Sequence, residues 1–338
     1  MKQIFFRVDG GLVYSVAMGH VARCLKIARA LKKRHGIAAS FIMKHYPEGV
    51  AEVGARGFEV ITLDTELRSD HDAAMTAEKA RGHMLVIDVR HYSPENIASL
   101  RKACSPVIVF DDLGNDAIKP DVIINPAVVP EHRRYTAHAG TAYCLGPAFF
   151  VFGENALSPV SIKQEVRKIV ISLGGADPAR YTEELARKIY ALGTLYDFTF
   201  VLGQAYGDGN GFRCLLEALP FNAAVVNGVE NLPAFFQKFD MAIVAGGDTC
   251  LELAHAGIPG MIVPTISYEE ETALYLASQH IFINLGDIKK RSSEEIQADI
   301  AQFAGDYEKR NEYAQNGRAL IDGQGLARVL EIITGRLP

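Results

Sequence analysis

The sequence lacks any grouping of cysteines. Its five cysteines are an odd number, stand far apart at positions 24, 104, 144, 214 and 250, and form no CxxC motif or Cys/His cluster. Disulfide frameworks and structural zinc sites need paired or clustered ligands. We therefore expect neither of them, and no spacing in the chain suggests a bound metal or a cofactor.

Strong charge of one sign and long hydrophobic runs are also missing. The 338 residues carry a formal net charge of −5, whereas nucleic-acid and anionic-membrane surfaces need a basic excess. No apolar run reaches the ~18 residues of a membrane span. The opening MKQIFFRVDG meets Arg7 and Asp9 too early for a signal peptide. We expect a cytoplasmic protein without nucleic-acid partners.

What the chain does contain is an alternation of short apolar runs with helical patterns. The apolar runs are continuous, as is typical of parallel strands covered on both faces. Strands are predicted at 4–9, 39–43, 59–64, 84–88, 107–112, 122–127, 168–175, 198–203, 223–227, 241–247, 260–265 and 283–287. Helices are predicted near 20–35, 48–56, 70–81, 94–103, 179–192, 231–239, 249–257, 269–279, 293–304, 308–321 and 325–335.

The periodicity fades between residues 151 and 167, where Pro, Gly, Asn and Ser accumulate. We interpret this stretch as a linker between an N-terminal domain, 1–150, and a C-terminal domain, 168–338, whose last helix is free to pack back on the first domain. The predicted fold class is α/β, with two doubly wound, Rossmann-like domains facing a cleft. A cleft between domains is a preferred place for a ligand.

The first strand, loop and helix bring several chemically active side chains together. Arg7 and Asp9 end the strand, and the helix opens at Gly19-His20 with Arg23 one turn later. A helix N-terminus attracts anions through its free N–H groups and its dipole. The histidine adds a titratable base, although His20 could instead pack or cap, and the arginines could instead pair with Asp9 or Asp88.

Two glycine turns follow strands in the second half. The first is Gly174-Gly175, and the second is Gly246-Gly247, which Asp248, Thr249 and Glu252 follow at the start of a helix. Glycine lets a backbone approach a ligand closely. The carboxylate of Glu252, one turn into the helix, could accept hydrogen bonds from the two hydroxyls of a ribose. Neither turn is GxGxxG or the GxxxxGK[ST] of a P-loop. Tight strand–helix connections are the alternative interpretation.

Three groups of motifs together resemble a known family. They are RxDGG…AMGHVARCL at the start, ISLGGADP, and AGGDTCLELA followed by GIP. They resemble the PseG/SpsG group, which is related to the MurG-type glycosyltransferases of the GT-B fold. PseG is the hydrolase of UDP-2,4-diacetamido-2,4,6-trideoxy-β-L-altropyranose in pseudaminic acid biosynthesis. The resemblance extends over nearly the whole chain and implies a two-domain GT-B protein.

The resemblance also implies a function and a site. The function is metal-independent hydrolysis of a nucleotide-activated amino sugar, with UDP as the expected nucleotide. Water attacks the anomeric carbon with inversion, in biosynthesis of a surface polysaccharide or a nonulosonic acid. The catalytic residues would be His20, as the general base, and Asp9. The sugar would meet Arg7, Gly19, Arg23, Asp88, Tyr268 and Glu269, and the nucleotide would meet Gly174, Gly175, Gly246, Gly247, Asp248, Thr249 and Glu252.

Of three departures from the family pattern that bear on the substrate, the most telling follows the strand at 260–265. Tyr268 and Glu269 stand where the family has an Asn-Gln pair, and carboxylates accept hydrogen bonds but do not donate them. Three alternatives to hydrolysis stay open. They are a GT-B glycosyltransferase that passes the sugar to an acceptor, an enzyme like UDP-N-acetylglucosamine 2-epimerase, and a non-catalytic nucleotide-sugar-binding protein.

Overall fold

The chain divides into two compact units. The computed structural model describes residues 3–11, 16, 18–128, 135–152, 159–203, 205–221, 223–229 and 231–337. Unit 1 comprises Met1–Ala156 together with Gly323–Pro338, and unit 2 comprises Leu157–Asp322. Unit 1 is therefore discontinuous in sequence, because its last helix follows the whole of unit 2.

Unit 1 is built on a parallel sheet of seven strands. Their order across the sheet is β3-β2-β1-β4-β5-β6-β7. The strands are β1 (Gln3–Val8), β2 (Ala38–Lys44), β3 (Glu59–Leu63), β4 (Met84–Asp88), β5 (Val107–Phe110), β6 (Val122–Asn125) and β7 (Ala142–Leu145). Strand order reverses between β1 and β4, and such a switch point opens a crevice at the carboxyl ends of the strands.

Helices cover both faces of this sheet. They are α1 (Gly19–His35), α2 (Pro47–Ala55), α3 (Ser69–Lys79), α4 (Pro94–Ala103) and, from the end of the chain, α12 (Gly325–Thr334). Alternate side chains of β1 face opposite ways. Ile4, Phe6 and Val8 join the core with α1 and α12, whereas Phe5 joins the core with α3 and α4. Successive residues of β1 therefore alternate between two cores, one on each face of the sheet.

Unit 2 repeats the arrangement with six parallel strands in the order β10-β9-β8-β11-β12-β13. The strands are β8 (Lys168–Ser172), β9 (Asp197–Leu202), β10 (Ala223–Asn227), β11 (Met241–Val244), β12 (Gly260–Ile262) and β13 (Phe282–Asn284). The helices are α5 (Tyr181–Ile189), α6 (Gly209–Ala218), α7 (Leu232–Phe236), α8 (Asp248–Ala256), α9 (Ser267–Ser278), α10 (Ser293–Gly305) and α11 (Tyr307–Leu320). This strand order is that of dinucleotide-binding folds, with the switch point between β8 and β11.

Most predicted elements are present, but the sequence prediction missed two. Strand β7 is only half buried along its length, so its residues lack the continuous apolar run of the inner strands. Helix α6 opens with the glycine-rich GNG and depends on the Asp208 side chain, which accepts from the Gly211 N–H. Several predicted strands also ran too far, because 168–175 and 241–247 included the glycine turns that follow β8 and β11. No helix in the described ranges is long and apolar enough to cross a membrane.

Candidate active site

The polar residues singled out in unit 1 lie at the switch point of its sheet. Asp9 directly follows β1, and Asp88 ends β4, where it is the in-register neighbour of Val8. Helix α1 begins shortly after β1 and carries His20 in its first turn. The structure sorts these residues into two separate ionic networks, one on each face of the sheet.

The first network surrounds Arg7, which is fully buried. Its guanidinium donates two hydrogen bonds to Asp9, at 2.6 and 2.8 Å. Two more go to Asp72 of α3, at 2.6 and 2.9 Å, and Ile42 O lies 3.4 Å from Nη1. All five N–H donors of Arg7 are thereby directed at acceptors within the protein. Arg7 is a core residue of unit 1, which corrects the expectation that it contacts the sugar.

Asp9 is committed to the same network. One of its oxygens also accepts from the Lys44 backbone N–H at 2.7 Å, and only 8% of the residue is exposed. Asp9 shares the face of β1 that carries Phe5 and Arg7, away from α1. The expectation that Asp9 assists His20 is therefore wrong, because the two side chains project from opposite faces of the sheet.

Asp72 completes this network and is held as a carboxylate. Burial by itself would raise its pKa, but hydrogen bonds from His91 and Arg7, the Arg7 charge and a hydrogen bond from Tyr92 hold the pKa well below its usual range. His91 Nε2 lies 3.0 Å from Asp72. In Tyr92 burial raises the pKa of the hydroxyl, which therefore remains a hydrogen-bond donor.

Unit 1 should lose stability in acid through Asp72. A carboxylate whose pKa is lowered by folding stabilises the protein above its unfolded pKa, which is about 3.9, and that contribution is lost as the pH falls toward the folded value. The stability difference between the native chain and Asp72→Asn, measured by thermal unfolding, should be large at about pH 6 and narrow toward about pH 3. Asp70→Asn, with its side chain 59% exposed, is the matched control. A difference that does not change with pH would contradict the assignment.

The second network surrounds His20. Its Nδ1 lies 2.6 Å from Oδ1 of Asp88. Arg23, one turn along α1, donates to both oxygens of Asp88 at 2.8 Å and to both oxygens of Asp112 at 3.0 and 2.9 Å. The Arg23 guanidinium also lies over the Phe110 ring, 4.7 Å from its centroid. The structure thus brings His20, Arg23 and Asp88 together with Asp112, and the pairing of Arg23 with Asp88 is the alternative that the sequence left open.

The charge state of Asp88 determines which nitrogen of His20 carries the proton. Burial would raise the pKa of Asp88, but the Arg23 charge and the hydrogen bonds from His20 and Arg23 hold it well below the usual range. An ionised carboxylate only accepts hydrogen bonds, so the 2.6 Å contact with Asp88 assigns a hydrogen to Nδ1. Arg23 Nη2 lies further from the same nitrogen, at 3.1 Å. In this tautomer Nε2 carries the lone pair, and the side chain is 20% exposed. This is the arrangement of an oriented general base.

Both networks have the ligand types of a metal site, yet a guanidinium already fills each. The groups are Asp9, Asp72 and His91, and His20, Asp88 and Asp112. Arg7 bridges the two carboxylates of the first group, and Arg23 bridges those of the second. A metal ion would have to displace these bidentate bonds. The geometry favours acid–base chemistry at His20.

In unit 2 the two glycine turns follow β8 and β11, which are neighbours in the sheet. Gly174 has a φ of 99°, a conformation that favours glycine, and the Gly175 carbonyl accepts from the Ala205 N–H at 3.1 Å. A side chain at Gly203 would meet that carbonyl at 2.2 Å. Gly203 is therefore required for the packing of the first turn, a role the sequence analysis missed.

The second turn leads into α8, with Gly247 as N-cap and Asp248 as the first residue. Asp248 is exposed and Thr249 half-buried, and Glu252 lies one turn further. Gly247 provides no side-chain cap, and the Cys250 N–H donates to the Gly247 carbonyl at 3.1 Å. The N-terminus of α8 presents the positive end of the helix dipole. The expectation that this turn contacts a diphosphate remains a prediction.

Glu269 is placed differently from the sequence prediction. It is only 9% exposed, and its Oε2 accepts from the backbone N–H and hydroxyl of Thr265 at 2.8 and 2.9 Å. A side chain at Gly246 would meet Glu269 Cβ at 2.8 Å. Glu269 therefore holds the loop before α9 against the second glycine turn. Its neighbour Tyr268 is 41% exposed.

Comparisons with known proteins cover the whole chain. No protein-family model matches it. It is 24% identical over 332 residues to the spore coat polysaccharide biosynthesis protein SpsG of Bacillus subtilis strain 168, an alignment that covers 96% of each protein. MurG of Acinetobacter baumannii has a TM-score of 0.71 at 15% identity, covering 99% of this chain and 100% of that one. Anabaena HepE, solved with UDP and glucose, has a TM-score of 0.65 at 11% identity and covers 99% of both.

Proposed function

We propose, from the premise that this chain is SpsG-like and has the GT-B fold, that it is an enzyme acting on a nucleotide-activated sugar. The reaction that we propose is hydrolysis at the anomeric carbon with release of the nucleoside diphosphate. The family resemblance, now joined by similarity to SpsG over 96% of the chain, supports a place in surface-polysaccharide or nonulosonic-acid biosynthesis.

The observation that carries the proposal is the His20–Asp88 pair. Asp88 holds Nδ1 at 2.6 Å, and Arg23 keeps Asp88 ionised. Nε2 is thereby oriented as a proton acceptor in the first turn of α1. Proton removal by a positioned side chain is typically worth about 10²–10⁴-fold in rate. Water is a weak nucleophile, and proton removal makes it reactive enough to attack the anomeric carbon of the sugar.

The proposed step has a simple balance. His20 Nε2 takes a proton from water as the water oxygen bonds to the anomeric carbon. The bond between that carbon and the diphosphate oxygen breaks, and its electron pair leaves with the nucleotide. The proton on His20 then passes to solvent. Attack opposite the leaving group inverts the anomeric centre, and no metal is used.

Unit 2 is proposed to hold the nucleotide. The N-terminus of α8, where Gly247 is the N-cap, presents the positive end of the helix dipole, and such ends stabilise the charge that develops on a leaving phosphate. Gly174 and Gly175 lie on the neighbouring strand end and are exposed, so a ligand can approach their backbone. UDP is the proposed nucleotide, in line with the family resemblance and with the structural neighbour HepE, which was solved with UDP and glucose.

Transfer of the sugar to an acceptor hydroxyl is the second candidate. The structural neighbours favour it, because CalG4 and SnogD are described as glycosyltransferases. The same base, His20, would deprotonate the acceptor in place of water. The two candidates therefore share a catalytic residue and differ in the nucleophile.

An isotope experiment separates these candidates. The chain is incubated with a panel of nucleotide sugars in ¹⁸O-water, and the products are analysed by mass spectrometry. We expect the nucleoside diphosphate to be released, with the label on the anomeric oxygen of the free sugar. Label on phosphate would contradict attack at carbon. Release that requires an added acceptor would favour the transferase.

A further inference from the structure

A small cavity in unit 1 lies directly beside His20. Its volume is about 50 Å³, which is room for about three to five non-hydrogen atoms at the ~10–15 Å³ that one water needs. We call it the His20 pocket. Its walls combine apolar side chains, among them Val109 and Ile118, with a polar set formed by His20, Arg90, Tyr92, Asp111, Asp112 and Asn115. A group of a few atoms on a sugar next to the base would fit it.

The acidic groups of the His20 pocket are already committed inside the protein. Asp111 accepts from the backbone N–H groups of Leu113 and Asn115 and from the Tyr135 hydroxyl, the last at 2.6 Å. Asp112 accepts two hydrogen bonds from Arg23. These carboxylates therefore serve to build the pocket wall.

Two side chains of the pocket, Arg90 and Asn115, have N–H donors that make no hydrogen bond to a described residue. Arg90 makes no hydrogen bond to any described residue, and its nearest acidic atom, Asp112 Oδ2, is 3.8 Å from Nη2. Asn115 uses its Oδ1 to accept from the Ala117 N–H at 3.1 Å, which fixes the amide orientation, and its Nδ2 donates to no residue in the described ranges. A pocket that offers unused donors is suited to an oxygen acceptor.

We propose that the His20 pocket binds a planar, carbonyl-bearing substituent of the sugar, with Arg90 and Asn115 donating to its oxygen. The proposal rests on the function proposed above and makes Arg90 a specificity-determining residue. A guanidinium can donate bidentate hydrogen bonds to planar oxygen acceptors. A neutral acylamino group and a carboxylate share this chemistry and fit the available space. A lone hydroxyl would leave most of the pocket unfilled.

Equilibrium binding tests the proposal without depending on turnover. Isothermal titration would compare UDP, UDP-glucose, UDP-N-acetylglucosamine and UDP-glucuronic acid. At least one of the two carbonyl-bearing sugars should bind about 10–100-fold more tightly than UDP-glucose, the range expected for hydrogen bonds to a charged group. Tighter binding of the acetamido sugar identifies an acylamino site, and tighter binding of the uronate identifies a carboxylate site.

Variants then assign the preference to the pocket. Arg90→Met should abolish the preference for carbonyl-bearing sugars and leave the affinity for UDP unchanged. Asn115→Asp keeps the oxygen that accepts from the Ala117 N–H and should weaken the preference. Arg68→Met removes the same charge from a side chain that is 82% exposed and should preserve the preference. No preference in the native chain, or one that survives Arg90→Met, overturns the proposal. Failure of UDP itself to bind overturns the nucleotide-sugar function, and the proposed pocket role with it.

Discussion

Replacing His20 with asparagine is expected to slow nucleotide release by about 10²–10⁴-fold, or about 3–5 kcal/mol of barrier, while the protein stays folded. Asparagine retains a donor near the position of Nδ1, so the bond to Asp88, 2.6 Å long in the native chain, has a replacement. It has no equivalent of Nε2, so the proton acceptor is lost. The rate should fall while the affinity for substrate changes little.

The measurement is steady-state release of the nucleoside diphosphate, with kcat and KM determined separately. The matched control is His35→Asn, at the opposite end of the same helix, where the side chain is exposed. That variant should keep the native rate. If His20→Asn also keeps the native rate, His20 is not the base. An increase in KM alone would mean that His20 only binds substrate.

Replacing Arg7 with methionine is expected to destabilise unit 1 by about 3–5 kcal/mol. The cause is the loss of the shared cation between Asp9 and Asp72, which are 8% and 0% exposed. Two carboxylates would then be buried close together without a counter-charge. Proteins are typically stable by about 5–15 kcal/mol, so this change removes a large fraction of the total.

Hydrogen exchange can localise this effect. Peptides from β1 and β4 should exchange roughly 10²–10⁴-fold faster in Arg7→Met, while peptides from β8 in unit 2 serve as an internal reference. Neutralising the partners as well, in Arg7→Met with Asp9→Asn and Asp72→Asn, should recover much of the loss, because no unpaired charge remains. If the triple variant is as unstable as the single one, packing rather than charge is the cause. Native protection in Arg7→Met would refute the assignment.

The sequence predicted the parallel strands well because their apolar runs are continuous. It also placed His20 and Arg23 together, since residues three apart share a helix face. Asp88, which ends the fourth strand, was named as a possible partner of the arginines, and the structure puts it in contact with Arg23 and with His20. These successes depend on local patterns or on neighbouring strand ends.

The misassignment of Asp9 has a definite physical origin. Both Asp9 and Asp88 stand at carboxyl ends of adjacent strands, so proximity alone does not choose between them. The choice depends on which face each side chain takes. Asp9 follows Phe5 and Arg7 in the two-residue alternation of β1, whereas Asp88 follows Met84 and Val86, which share the core with α1. That alternation is visible in the sequence and would have identified Asp88 as the partner.

Other parts of the site were beyond sequence reasoning. Arg7 and Asp72 are 65 positions apart, and nothing local marks a carboxylate on α3 as the partner of a strand arginine. Glu269 was expected to contact the sugar because it stands at the family's Asn-Gln pair, yet its carboxylate accepts from Thr265 in the loop before α9. The His20 pocket likewise combines residues from two separate strand ends. Such features depend on tertiary packing.

The return of α12 to unit 1 has a consequence for how the chain is made. Leu326, Val329, Leu330 and Ile333 belong to the same core as β1 and α1, and Gly325 packs so closely on Phe150 that a side chain there would meet its carbonyl at 2.0 Å. Unit 2 is contiguous, and all of its residues have been synthesised by Asp322. On the ribosome, the half that begins first is therefore the half that is completed last. Until α12 emerges, the apolar face of α1 lacks its covering helix.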